Sequence, residues 1–205
     1  LDYFLKVIKK ASEYEILFNA QLSMAKAYDP NASSLDVEQE LMNMIKDKKN
    51  TEYLDQIYYA IGSINIKNQD TTAAIGSFTL SSSLSQFNNE QKSQSHYALA
   101  NIFWKKKEYI QAFNHCDSAF QVTKPNAPNY QQIKTMLTSA KRIAQQYNII
   151  NYNDSVITLA KLSELERNKF IDDYIVELKI KDEQDKGDLQ NNSNQNSSFN
   201  QYDYN

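Results

Sequence analysis

The amino-acid sequence predicts an all-α protein, and three observations carry that prediction. Apolar residues recur at intervals of three and four along nearly the whole chain, the spacing that gathers them on one face of a helix. Glycine and proline number three each in 205 residues. These two residues punctuate strands and tight turns, so their scarcity favours long helices with short connectors. Residues whose side chains cap helix N-termini also stand ahead of several apolar stretches.

Taken in order, Leu1, Phe4, Leu5 and Ile8 mark a first helix; Tyr14, Leu17, Phe18, Leu22 and Ala25 mark a second, which stops before Asp29 and Pro30. A third runs from Leu35 to Ile45 behind the cap Ser34. Asn50 is the expected cap of a helix over 51–67, Asp70 of one over 71–85, and Asn89 of one over 91–106. Tyr109 to Thr123 forms the next, closed by Pro125. Asn126 and Pro128 open a long helix to Tyr147, and a short one covers 154–161. Ser163, Glu164, Leu165 and Glu166 form a capping box for the last, over 164–181. The expectation is about ten helices in one domain over 1–181. From Asp182 the apolar spacing fails, and 187–205 is rich in Asn, Gln and Ser, so 182–205 is expected to be a linker, a disordered or extended tail.

At 41% hydrophobic and 23% charged residues, the chain can bury a core. A net charge of −3 and a pI near 5.5 supply no electrostatic footprint for nucleic acid or an anionic membrane face. One cysteine closes no intramolecular disulfide, and with two histidines it falls short of a zinc ligand set, so neither metal nor cofactor is expected. No glycine-rich phosphate loop and no Ser/His/Asp set is visible, which points away from an enzyme and from a small-molecule substrate. No apolar run approaches the roughly 18 residues of a membrane span. The chain opens on Leu1 without a signal-like segment, so it reads as an excised fragment, and any signal peptide or lipid anchor would lie upstream.

Residues 61–83 and 99–121 align without gaps, matching Gly62 with Ala100, Ala74 with Ala112, Phe78 with Cys116 and Ser81 with Ala119. The offset is 38 residues, against roughly 34 in a tetratricopeptide repeat, with the extra length in the connector around Gln86 to Glu90. Two antiparallel helices approach closely only where Cβ atoms are small and a bulky side chain inserts beside each small one. The pattern resembles tetratricopeptide repeats and implies a helix-turn-helix solenoid, clearest over 53–86 and 91–124. In this register Cys116 is a core filler and His96 a half-buried residue of a first helix. His115 is expected on an outer face. Lys105, Lys106 and Lys107 form a solvated helix end that suits the C-terminal dipole.

First helices of such a solenoid line its concave face, the usual seat of a partner segment. The groove-facing positions are Gln56, Tyr59, Ser63 and Lys67 in one unit and Gln94, Tyr97, Asn101 and Lys105 in the next. Tyrosine offers contact area at low entropic cost, asparagine can hold a peptide backbone, and lysine can meet a carboxylate. The set matches the carboxylate clamp of chaperone-binding repeats only in part, since a second asparagine and an arginine are missing.

Several phrases carry a closer likeness: EYEILFNAQLSMAKAYD (13–29), MIKDKKNTEYLDQIYYAIGSI (44–64), LSELERNKFIDDYI (162–175) and the Asn/Gln-rich tail, in this order. Together they resemble the SprE/PorW family, periplasmic repeat lipoproteins of the Bacteroidetes type IX secretion and gliding-motility machinery. Lys10, Ala11 and Ser12 stand where that family often has Asn-Pro-Pro. The resemblance implies a non-enzymatic scaffold in the periplasm, tethered to the outer membrane through an anchor outside these residues, whose partners are other protein subunits of the machinery. The alternatives left by the residues themselves are a generic peptide-binding repeat adaptor and an outer-membrane glycan-capture protein, for which the one tryptophan, Trp104, would be the platform.

Overall fold

The computed structural model describes the backbone of residues 2–31 and 36–198 and the side chains of 3–31, 36–180 and 182–183. Every regular element among them is helical, as the spacing and the scarcity of glycine and proline require. The order is α1 (Asp2–Lys10), α2 (Tyr14–Ala27), α3 (Val37–Lys46), a 3-10 segment (Lys48–Tyr53), α4 (Leu54–Lys67), α5 (Thr71–Leu84), α6 (Asn89–Lys105), α7 (Tyr109–Val122), α8 (Tyr130–Lys161) and α9 (Glu164–Ser198).

Several boundaries differ from the expected ones. The expected cap Ser34 lies outside the described residues, and α3 starts behind Asp36, whose carboxylate accepts from the Gln39 amide at 2.9 Å. Asn50 does not cap α4. It is buried in the 3-10 segment, where its Nδ2 donates to the Met44 carbonyl at 2.7 Å and its Oδ1 accepts from the Tyr14 hydroxyl. That side chain therefore ties the segment to α2 and α3 rather than serving a helix start. Asp70 caps α5 as expected, accepting from the Ala73 amide at 2.9 Å. Asn88, one residue ahead of the expected Asn89, caps α6 by accepting from the Gln91 amide at 3.1 Å.

The helices expected to end at Tyr147 and restart at 154 are one helix, α8. Residues 148–153 hold asparagines but neither glycine nor proline, and an asparagine costs a helix interior about 0.7 kcal/mol or less relative to alanine. Helix α9 begins at the predicted capping box, with the Ser163 amide donating to Glu166 Oε2 at 3.0 Å. It runs to Ser198, so the stretch from 182 expected to be extended or disordered is helical as far as it is described; it contains Gly187 but no proline.

The chain divides into two compact units after Asn148, inside α8. The first unit holds the core. Phe18 and Met24 of α2, Val37, Leu41 and Met44 of α3, and Ile57, Ile61 and Ile64 of α4 bury one another, with Phe4, Leu5 and Ile8 of α1 against them. Ala74 and Phe78 of α5 join Leu99 and Ile102 of α6 in a second cluster. Ala100 of α6, Cys116 and Ala119 of α7 and Ile133 of α8 form a third. In the second unit none of the described side chains is fully buried. Phe170, Ile171, Tyr174, Ile175 and Leu178 share one face of α9 and are each more than two-fifths exposed.

Helix α4 pairs with α5, α6 pairs with α7, and α5 also packs on α6. The crossing of the first pair is set by Gly62, where an added Cβ would stand 2.8 Å from the Phe78 ring. At the equivalent crossing of the second pair stand Ala100 and Cys116, both fully buried. A smaller partner there leaves room for the Cβ that Phe78 denies to Gly62. Both pairs reverse through the same turn. Gln69 (φ 64°) and Lys107 (φ 63°) take left-handed conformations, and the amides that follow, Asp70 to Asn65 O and Glu108 to Phe103 O, close at 2.9 Å. This six-to-one bond satisfies the last helical carbonyls.

A buried polar seam fastens the pairs together. Asp55 of α4 accepts from Ser85 Oγ at 3.0 Å and from Asn88 Nδ2 at 3.1 Å, while its carbonyl accepts from Ser81 Oγ at 2.6 Å. Ser81 of α5 in turn meets Ser95 of α6, Oγ to Oγ, at 2.7 Å. Among the described residues no buried side-chain nitrogen or oxygen lacks a partner, so hydrogen bonds within the seam replace those lost to water.

Denaturation should find Gly62→Ala less stable than the native chain by about 1–3 kcal/mol, because the added methyl overpacks a closed crossing. The double variant Gly62→Ala/Phe78→Leu should recover much of that loss. An unchanged midpoint in the single variant would mean that α4 and α5 cross elsewhere.

Candidate functional site

Two surface depressions of the first unit contain residues picked out by the repeat register. Tyr97, Asn101 and Trp104 of α6 face Gln131, Gln132, Thr135, Met136 and Ser139 of α8 across an open hollow of about 520 Å³. The α6 residues line it because they recur at i, i+4 and i+7, and Tyr97 is seated by packing against the cluster of Ala100, Cys116 and Ile133. A second hollow, of about 750 Å³, takes Gln94 with Glu90 and Ser93, the Phe87–Asn89 connector and the segment from Val122 to Asn129. Phe87 at its edge is 98% exposed.

Of the eight expected groove residues, Tyr97 and Asn101 line the first hollow and Gln94 the second. Neither hollow is lined by α4. Tyr59 is half-buried with its ring 5.3 Å from Phe78, and burial pushes its hydroxyl pKa up. Ser63 donates to the Tyr59 carbonyl at 2.9 Å within the helix, and Gln56 is half-buried. Lys67 does not stand ready for a partner's carboxylate. Its ammonium donates to the carbonyls of Lys26 at 2.7 Å and Tyr28 at 2.9 Å. It thus terminates α2, whose last carbonyls would otherwise be unsatisfied. The register could not foretell this, because α2 and α3 belong to no repeat visible in the sequence yet pack on α4.

On α6 the positions are more open. Asn101 Nδ2 donates to the Tyr97 carbonyl at 2.8 Å, Gln94 Nε2 reaches Glu90 Oε1 at 3.4 Å, and Lys105 is exposed at the helix end. Beside Tyr97, Asn101 and Trp104, the signal missed in the sequence was the amides of Gln131 and Gln132, which come from a helix with no repeat partner. Apart from the Tyr97 phenol, no lining side chain of the smaller hollow ionises. Its chemistry suits an uncharged ligand surface that combines apolar faces with amide or hydroxyl groups.

Cys116 is fully buried, its thiol 3.4 Å from the Ile133 carbonyl, and burial pushes its pKa up to about 12, so it carries no thiolate at neutral pH. Lys106 pairs with Glu108 at 2.6 Å and lies over the Phe103 ring. His115 departs from expectation. It is half-buried between α6 and α7, stacked on Phe103 at 5.3 Å, with its Nδ1 3.2 Å from Nδ1 of His96. Cys116 and Ala119 turn one side of α7 towards Ile133, and His115, one residue earlier, is carried round towards α6. Among the described residues no three His, Cys, Asp or Glu gather as a multidentate metal site.

Burial, His115 and Lys92 together lower the His96 pKa to about 4, and burial lowers that of His115. Folded-state values below the ordinary 6.5 mean that the unfolded chain takes protons first. The stabilising contribution is therefore complete above pH 6.5 and is lost as pH falls from there towards 4. Allowing for half-exposure, the loss should be about 1–2 kcal/mol. It is measured as the difference between native and His96→Gln unfolding curves across that range, which removes the titration of carboxylates common to both. A difference independent of pH would contradict the pairing. In comparison with known proteins, no family model and no curated protein matches the chain.

Proposed function

We propose that the chain is a tetratricopeptide-like, non-enzymatic scaffold that binds other protein subunits. We further propose that it serves the type IX secretion and gliding-motility machinery, in the periplasm and associated with the outer membrane through an anchor outside these residues. The observation that carries the scaffold reading is the 38-residue recurrence, which governs the aligned small residues and also the two left-handed turns at Gln69 and Lys107. Helix pairs that repeat in this way build extended surfaces rather than catalytic pockets. The secretion role rests on the sequence phrases that resemble the SprE/PorW family, the longest of which spans the 3-10 segment and α4.

The hollow beside Tyr97, Asn101 and Trp104 is the face assigned to the partner. An extended peptide offers the amides and apolar side chains that its lining complements, and aromatic residues dominate such interfaces. Trp104 and Tyr97 among amides also favour a second reading, capture of a neutral oligosaccharide.

Immobilised protein incubated with periplasmic and outer-membrane extracts should retain identified components of the same export machinery. Trp104→Ala with Asn101→Ala should weaken that retention by about tenfold or more, as expected on losing an interface anchor. Recovery of no export component at low salt would overturn the secretion role. Saturable oligosaccharide binding abolished by Trp104→Ala would instead support glycan capture.

A further inference from the structure

The His96 and His115 rings meet in a way the scaffold role does not require. Their Nδ1 atoms are 3.2 Å apart, their centroids 5.5 Å apart and their planes within 31°. A centroid separation that long for so short a gap means that the two Nδ1 vertices point at one another. Each ring is fixed by a different helix, His96 by α6 and His115 by α7, and the parallel Phe103 ring holds His115 in place. Both remain half-exposed, so an ion can reach them. We propose that this pair is a two-coordinate site for a soft monovalent d10 cation, cuprous copper, with silver(I) as its chemical stand-in.

Two opposed imidazole nitrogens offer a linear geometry, which a closed-shell monovalent ion accepts and a zinc or nickel ion, wanting four or more ligands, does not. A third ligand is lacking: no group of three ligating side chains occurs among the described residues, and the Cys116 thiol is turned towards the Ile133 carbonyl. With metal–nitrogen bonds of about 2 Å, the nitrogens must part from 3.2 Å to about 4 Å. The rings must withdraw by less than 1 Å in total, within reach of partly exposed side chains. In the metal-free pair one Nδ1 carries a proton and donates it to the other. Binding requires that ring to become the Nε2–H tautomer, so the proton moves from Nδ1 to Nε2, none is released, and the site gains one positive charge. The depressed pKa values keep both rings neutral and able to ligate at pH 7. Charged groups nearby are Lys92, which bears on His96 and opposes a cation, and Lys106, which lies over Phe103.

The test is a silver(I) titration of the Cys116→Ala chain, which removes the thiol as a competing ligand, followed by cuprous ion under reducing, oxygen-free conditions. One equivalent should bind. His96→Gln and His115→Gln should each weaken binding by about tenfold or more, and Lys92→Gln should tighten it by about threefold. Imidazole nitrogen resonances should report coordination at Nδ1 with the proton at Nε2 in both rings, a readout that does not depend on the variants folding. No binding, binding that survives both glutamine variants, or coordination at Nε2 would overturn the proposal.

Discussion

The ring of Phe78 lies over the backbone of Gly62, so close that no Cβ fits between them. On this contact depends the separation of α4 and α5, and with it the position of α6, which shares the cluster of Ala74, Phe78, Leu99 and Ile102. One repeat later Ala100 and Cys116 solve the same packing problem with different volumes. The turns recur at the same offset while the side chains at the crossings differ, and Ile133 of α8 packs beside Ala100 and Cys116. Both pairs reverse through left-handed turns, at Gln69 and Lys107, although neither position holds the glycine that would ease it.

Polar chemistry supplies what apolar packing cannot, a fixed register between neighbouring pairs. Asp55 is held by Ser85 and Asn88, and Ser81 touches both the Asp55 carbonyl and Ser95. The Ser81 position is an alanine, Ala119, one repeat later, so the seam joins α4, α5 and α6 but is not copied further along. A seam with all its partners satisfied rigidifies the face on which α6 presents Tyr97, Asn101 and Trp104.

Much of this was legible in the sequence because helical spacing, small residues and caps are local signals. Asp70 and the Ser163–Glu166 box act as read, and the aligned positions Gly62, Ala74, Ala100, Ala112 and Cys116 lie inside. What was not legible depended on tertiary partners. Asn50 is claimed by Met44 and Tyr14, and Lys67 by the end of α2; neither claim has a signature in sequence spacing. His115, expected on an outer face of its helix, instead meets His96 across the pair. The hollow needed α8, whose Gln131 and Gln132 lie outside the repeat.

The stability of the chain lies in the close-packed helices before Asn148; after it none of the described side chains is fully buried, and Phe170, Ile171, Tyr174, Ile175 and Leu178 are each more than two-fifths exposed. Helices without tertiary packing hold little stability of their own. Amide hydrogen exchange followed peptide by peptide tests this most directly. The slowest amides should fall in α4, α5, α6 and α7, with those of residues 165–180 exchanging orders of magnitude faster. Protection in 165–180 equal to that of α4 to α7 would contradict the account.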